Sequence, residues 1–256
     1  MGMTVKRLVF LILISAFVAG CAKVDDSATD ARQRLINPLA PENDESIEGA
    51  ISDFRKKSFL KLASHCWLDA KPPAHILLFS KPGDGSHASG AEIGGLFSEY
   101  DSAKRKWKIK ARAISFSEEG VWGEAPQPRF IRLGPDRYGF IVEYGSTGQG
   151  YTQQILAMYG VIDGRFTKVL TLPTHADNSG AVEEDSAILS ADVGLYQTVD
   201  DKKDFYDLTA RLVTHGDYPL TPDDEFGRIF GKSSEARFTF KNGAYVVMTK
   251  KAKKGM

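Results

Sequence analysis

The spacing of apolar residues along the chain changes near residue 65. Before that point, apolar side chains recur every three or four positions, as at Ile47, Ile51 and Phe54. Ser46 is a residue type that caps a helix by accepting a hydrogen bond from a backbone N–H of the first turn. The spacing therefore predicts one amphipathic helix over residues 46–64.

After residue 65, short stretches rich in β-branched and aromatic residues alternate with clusters of turn-forming residues, which is typical of an antiparallel all-β domain. In one stretch, Trp107, Ile109 and Ala111 alternate with lysines, which indicates a strand with one buried and one solvated face. The predicted strands are His75–Phe79, Trp107–Ala113, Phe130–Leu133, Tyr138–Tyr144, Gln153–Ile162, Arg165–Leu172, Ser186–Tyr196, Phe205–Thr214, Arg237–Phe240 and Ala244–Met248.

Two dipeptides between predicted strands, Asp163-Gly164 and Asn242-Gly243, indicate tight hairpins. A type I′ turn needs positive φ at both central residues, and Asp-Gly and Asn-Gly supply it most readily. Tight turns join neighbouring strands, so we predict a mainly β fold with an antiparallel meander and one N-terminal amphipathic helix. A single flat sheet of so many strands would expose unpaired edges. A sandwich, a barrel or a partial propeller would avoid this, and the sequence leaves these three architectures open.

The N-terminal residues have the pattern of an export signal. Lys6 and Arg7 precede an unbroken apolar run from Leu8 to Val18, which has the length of a signal-peptide core and is too short to span a bilayer. The run ends in Val18-Ala19-Gly20-Cys21, which resembles the lipobox of bacterial lipoproteins.

That resemblance implies that the signal is cleaved before Cys21 and that lipid on Cys21 anchors the mature chain to a membrane. We therefore expect a location in the bacterial cell envelope, facing the periplasm. Ala22, rather than an aspartate, follows the cysteine, and this favours the outer membrane over the inner one.

Composition divides the chain into four parts. We predict a signal peptide over residues 1–20, a polar flexible tether over 21–45, a single β-rich domain over 46–250 and a basic tail over 251–256. Removing the signal leaves 31 basic against 33 acidic side chains, so the mature chain is close to neutral. A nucleic-acid binder would carry a basic surface, and we expect no nucleic-acid partner.

Cysteine use follows from the expected anchor. The chain has two cysteines, Cys21 and Cys66. If Cys21 carries lipid, Cys66 has no partner within the chain, and we expect it to be a buried structural residue.

We find no convincing catalytic constellation, and we expect no cofactor and no metal site. The segment Gly227–Ser233 resembles a Walker A loop but is one residue short between its glycines, so we expect no nucleotide. The acidic residues after Pro173 lack the spacing of an EF-hand calcium loop. The five histidines lie in separate segments, at positions 65, 75, 87, 175 and 215.

Two longer connections carry the polar residues most suited to contacting a partner. The first, Gly145–Thr152, is glycine-rich, and a partner could approach its backbone closely. The second, Pro173–Asp185, is acidic. The candidate contact residues in these two connections are Gly148, Gln149, Gly150, Tyr151, Asp177 and Asn178.

Several short motifs in a fixed order resemble a group of exported proteobacterial proteins of unassigned function. The resemblance spans residues 75–248 and implies a β-rich exported domain, without implying any catalytic residue. The segments that carry it are Gly120–Pro126, Leu133-Gly134, Gly148–Tyr151, Ala176–Gly180, Phe205–Leu208 and Arg237–Tyr245.

Three functions fit these observations. The favoured one is a non-enzymatic envelope lipoprotein that binds another protein in the periplasm, for example a toxin-immunity protein or an envelope accessory factor. The second is a hydrolase acting on peptidoglycan or lipid, with His175 or His215 as its base. The third is a carrier of a small ligand, which would need a lined cavity.

Overall fold

The fold is that of a computed structural model, which describes residues 21–23, 45–58, 61–68, 71–182, 189–216, 218, 220–221 and 223–248. The predicted signal peptide and basic tail lie outside these residues, as does the predicted tether from residue 24 to residue 44. Residues 21–23, the start of that tether, instead form strand β1.

The described chain is mainly β, as predicted. The helices are α1 (Glu45–Ser58) and α2 (Glu225–Phe230). The strands are β1 (Cys21–Lys23), β2 (Lys61–Leu68), β3 (Ala74–Lys81), β4 (Ala91–Asp101), β5 (Lys106–Glu119), β6 (Arg129–Gly134), β7 (Arg137–Gly148), β8 (Tyr151–Ile162), β9 (Arg165–Asp177), β10 (Ser190–Thr198), β11 (Asp207–His215), β12 (Glu235–Lys241) and β13 (Ala244–Val247).

The strands form two antiparallel sheets in which spatial order follows chain order. The first sheet contains β1 to β5, and the second contains β6 to β13. This order confirms the predicted meander. Both predicted hairpins are present, with φ of 48° at Asp163 and 74° at Gly164, and 52° and 87° at Asn242 and Gly243.

Three parts of the sequence prediction need correction. Helix α1 ends at Ser58, and the residues predicted as its last turn begin β2. Strand β4 was not predicted, because Gly94 and Gly95 interrupt its apolar run and lower its apparent strand propensity. Helix α2 was not predicted; it begins after Asp224, whose side chain accepts from Gly227 N at 2.9 Å.

Helix α1 covers one face of the five-stranded sheet. Ile47 and Ala50 pack against a buried set formed by Leu77, Phe79, Leu96 and Trp107. Ile47 is fully buried, so the amphipathic pattern that predicts the helix also identifies its contact face.

The other face of the five-stranded sheet packs on the eight-stranded sheet. Ile76, Leu78 and Phe97 of the first sheet share one buried cluster with Phe140 and Tyr159 of the second. Alternation of side chains along each strand sends the remaining residues of the second sheet to its opposite face.

That opposite face forms a cluster of its own, drawn from all the strands β6 to β13 and from α2. The eight-stranded sheet curls around this cluster. The curl brings the connection between β10 and β11 back to β6, where Tyr206 N donates to Leu133 O at 2.7 Å. Gly134 is required at this point, since a side chain there would overlap the backbone of Asp204.

Cys66 is fully buried, as predicted, but it is disulfide-bonded. The expectation that it has no partner within the chain is therefore wrong for this structure. The sequence contains one other cysteine, Cys21, and the antiparallel register of β1 and β2 places Cys21 opposite Cys66.

Neither described helix is long and apolar enough to cross a membrane.

Candidate functional site

The first of the two polar connections predicted to contact a partner is mostly strand, and the second is strand only as far as Asp177, with residues 183–185 lying outside the described part of the chain. Strand β7 continues to Gly148 and β8 begins at Tyr151, so the first connection is reduced to the turn at Gln149 and Gly150, with φ of 53° and 81°. Strand β9 likewise extends through Asp177. The sequence prediction placed these residues in loops because their polar and glycine-rich composition is typical of turns.

The structure brings both connections together at one end of strands β7, β8 and β9. Thr152 pairs with Asp177, and Gly180 N donates to Gly150 O at 3.1 Å. A side chain at Gly150 would overlap the backbone of Gly180. The six predicted contact residues therefore share one surface, which we call the rim and define by residues 148–151 and 177–178.

Within the rim, Asp177 and Asn178 hold the backbone in shape. Asp177 accepts from Ser179 N at 2.9 Å and from Ser179 Oγ at 2.7 Å. Asn178 Oδ1 accepts from Leu189 N at 2.8 Å, which ties the end of β9 to the start of β10. Tyr151, which is 56% exposed, presents the large side chain of the rim to solvent.

His175 lies directly beside the rim, clamped between two carboxylates. Its Nδ1 is 2.7 Å from Asp192 Oδ1, and its Nε2 is 2.7 Å from Asp177 Oδ2. A neutral imidazole has one donor nitrogen, whereas ionised carboxylates only accept, so the protonated ring satisfies both contacts. The hydrogen bond to Asp192 raises the pKa of His175 above its ordinary value of 6.5 despite partial burial, and Asp177 adds to this.

The contacts of His175 with Asp192 and Asp177, which we call the clamp, predict how the stability of the protein depends on pH. Since the folded-state pKa of His175 is raised, the clamp adds stability that is complete below pH 6.5 and lost as the pH rises through the folded value. We expect Asp192→Asn to lower the pKa of His175, as measured by NMR titration of its ring protons. The ring protons of His215, exposed at the end of β11, serve as the internal control. An unchanged titration of His175 in Asp192→Asn would contradict the clamp.

A cleft of about 530 Å³ opens beside His175, on the concave side of the curled sheet. Ile141 and Leu156 form its apolar floor. Arg129, whose guanidinium lies 3.1 Å from the carboxylate of Glu143, lines one wall. Val193, Gly194 and Leu195 of β10 line the opposite wall.

The cleft exists because the sheet opens between β9 and β10. Strand β10 pairs with β11 along its whole length, from Ser190 to Thr198. Its pairing with β9 covers three residues, from Ser190 to Asp192. Beyond Asp192 the two strands diverge, which the sequence did not predict, because strand pairing over a long connection carries no local signal.

Sequence reasoning also missed two groups of interacting polar residues. Glu119 is buried between the sheets, and its Oε1 lies 2.5 Å from Ser117 Oγ and 2.5 Å from Lys168 Nζ, with Tyr159 OH also donating to it. His65 and His75, on adjacent strands, lie with Nδ1 and Nε2 3.3 Å apart. Burial is the main reason that the pKa of His75 falls to about 3, so its ring is neutral.

Among the described residues, no group of three or more histidine, cysteine or acidic side chains has the arrangement of a metal site. Comparisons of the chain with protein-family models, with curated proteins and with solved structures find no match.

Proposed function

We propose that this chain is an exported, lipid-anchored and non-enzymatic binding module that recognises another protein in the cell envelope through the rim. A toxin-immunity protein and an envelope accessory factor are the two concrete forms of this function.

The meeting of the two polar connections carries the proposal. Residues that are separated by up to 30 positions form one surface, fixed by the bond between Gly180 N and Gly150 O. An exposed tyrosine on a rigid turn is a typical contact residue of a protein interface, because it offers a large contact area at a low entropic cost. Tyr151 is the first residue of β8 and directly follows the turn at Gln149 and Gly150.

The geometry of His175 argues against the hydrolase in which it acts as a base. A general base needs a lone pair within reach of the proton that it abstracts. Both ring nitrogens of His175 are held by carboxylates, and these contacts raise its pKa, which favours the protonated ring that has no free lone pair.

The proposed anchor and the disulfide compete for Cys21. A sulfur that forms a disulfide cannot also carry a thioether-linked lipid, so the two fates exclude each other in any one molecule. The mass of the peptide that begins at Cys21 distinguishes them: acylation adds the mass of the lipid, whereas a disulfide links this peptide to the one that contains Cys66.

The function is tested by purifying the tagged chain from membranes together with its partners. We expect wild-type protein to carry lipid on Cys21 and to retain one stoichiometric partner, and a Cys21→Ser version exported by the same signal to leave the membrane. Tyr151→Ala should weaken binding of that partner by tenfold or more, which is about 1.4 kcal/mol and within the range of interface hot spots.

Trp122→Ala is the matched control, since Trp122 is an exposed aromatic residue (62%) outside the rim. Equal loss of binding in both variants would overturn the assignment to the rim. A lipidated protein that retains no partner would overturn the binding function itself.

The cleft favours a small-ligand carrier as the second candidate. Its volume lies within the range of small-molecule sites, roughly 300–1,000 Å³. This function predicts that a small molecule copurifies with the chain and is detected by mass spectrometry after denaturation, and that Leu156→Trp, which would fill the floor, abolishes copurification.

A further inference from the structure

Strand β10 presents an unpaired backbone edge to the cleft. Its β11 side is fully paired, whereas its β9 side is paired only as far as Asp192 among the described strands. The backbone donors and acceptors on this side of Val193–Thr198 therefore face the opening of the sheet. An unpaired strand edge is a template for another extended chain.

Among the described strands, β6 also has an unpaired edge, and it lies across the same cleft. Strand β6 is the end strand of the sheet and pairs with β7. Four successive antiparallel pairings separate β6 from β10, so these two strands run in the same direction. Residues of both strands line the cleft, Arg129 on β6 and Val193 to Leu195 on β10.

The two edges are joined at one end and open at the other. Near their C-terminal ends, Gln197 Nε2 donates to Arg132 O at 2.8 Å. Tyr206 N bonds Leu133 O at the same end. Toward their N-terminal ends, the cleft separates the strands. The result is a slot, which we define as the space between residues 129–131 and 193–196.

Gly194 lies on the wall of the slot. Glycine weakens a strand interior and often marks a point where another backbone approaches closely. A side chain at Gly194 would contact the ring of Tyr196, 3.1 Å away at the hydroxyl, which a surface ring can accommodate by a small movement. The fold therefore tolerates a side chain here, and its absence leaves room on this wall of the slot for another chain.

We propose that the slot receives an extended peptide segment of the partner protein, which adds as a strand between β6 and β10. This inference rests on the proposed function and adds a second contact with the same partner, beside the rim. Main-chain hydrogen bonds to both edges supply the affinity, and the apolar floor formed by Ile141 and Leu156 selects the side chains of the peptide.

The test uses the mature full chain, purified in detergent, and linear peptides selected on it from a displayed random library. We expect selected peptides to slow hydrogen exchange at the amides of Val193–Thr198 that do not pair with β11. N-methylation of single peptide amides should weaken binding by tenfold or more, because each methyl group removes a donor to one edge.

Gly194→Val should abolish peptide binding while the protein keeps its unfolding midpoint. Val247→Lys on β13, the opposite end strand of the same sheet, is the matched control and should bind normally. Failure to select any peptide, protection confined to β13, or full binding by Gly194→Val would overturn the slot. If a membrane partner still depends on Tyr151 in those cases, the proposed function survives and this inference alone fails.

Discussion

Lys168→Met is expected to lower the free energy of unfolding by about 3 kcal/mol, and Glu119→Gln by about 1 kcal/mol. The carboxylate of Glu119 is fully buried, whereas Lys168 is 40% exposed. Removing the lysine leaves the buried carboxylate of Glu119 without its ion-pair partner. Glutamine at position 119 leaves Lys168 free to hydrate and still accepts hydrogen bonds from Ser117 and Tyr159. The larger loss therefore follows removal of the more exposed partner.

The pH dependence of this pair has a definite sign. Burial raises the pKa of Glu119. Hydrogen bonds, above all the one from Lys168, lower it by more, so that the pKa lies below its ordinary value of 4.5. The ionised carboxylate thus adds stability that is present above pH 4.5 and lost as the pH falls through the folded value. In Lys168→Met the pKa of Glu119 should rise.

Urea unfolding of both variants and the wild type, at a series of pH values from 7 to 4, measures these differences. The difference in unfolding free energy between Lys168→Met and the wild type should be largest at neutral pH. It should shrink in acid, because Glu119 takes up a proton. A deficit that is independent of pH, or a larger loss in Glu119→Gln than in Lys168→Met, would contradict the account of Glu119 as a buried ion paired across the two sheets.

Phe140→Ala is expected to cost about 3–5 kcal/mol and to destabilise both sheets together. Phe140 is 1% exposed and stacks on Tyr159, with ring centroids 5.0 Å apart and planes at 12°. It also contacts the rings of Phe116, from the five-stranded sheet, and of Phe130. Alanine at this position leaves a cavity where the two sheets meet.

Trp107 provides the measurement, because it is buried beneath α1 in the five-stranded sheet, on the face away from Phe140. With Trp67 and Trp122 replaced by phenylalanine, fluorescence reports on Trp107 alone. We expect its unfolding midpoint to fall together with the circular dichroism of the strands, as a single cooperative unit requires. A midpoint at Trp107 that does not move would show that the sheets unfold separately and would contradict the predicted single domain.

The sequence predicted the class of fold and most of its strands for a local reason. Alternation in Trp107–Ala113 and the dipeptides Asp163-Gly164 and Asn242-Gly243 act through neighbouring residues, which periodicity and turn chemistry detect directly. Strand β2 was missed because an apolar helical pattern continues into its first residues. Strand β4 was missed because its paired glycines lower strand propensity, although the neighbouring strands bury it.

The candidate site was predicted in part. Composition identified the residues of the rim, since glycine, asparagine and aspartate mark turns. It did not identify the clamp on His175, because Asp192 lies 17 positions along the chain and meets the histidine through the short pairing of β9 with β10. The ion pair of Glu119 with Lys168 likewise joins two sheets that no local pattern relates.

By itself, the sequence determined that the chain is a mainly β meander with one amphipathic helix, because these properties follow from the spacing of apolar residues and from turns of two residues. Tertiary structure alone decided where the eight-stranded sheet curls and where it opens. The rim, the cleft and the buried Glu119 all depend on contacts between distant strands, whose register is set by the packing of whole faces, and such packing leaves no trace in any short stretch of sequence.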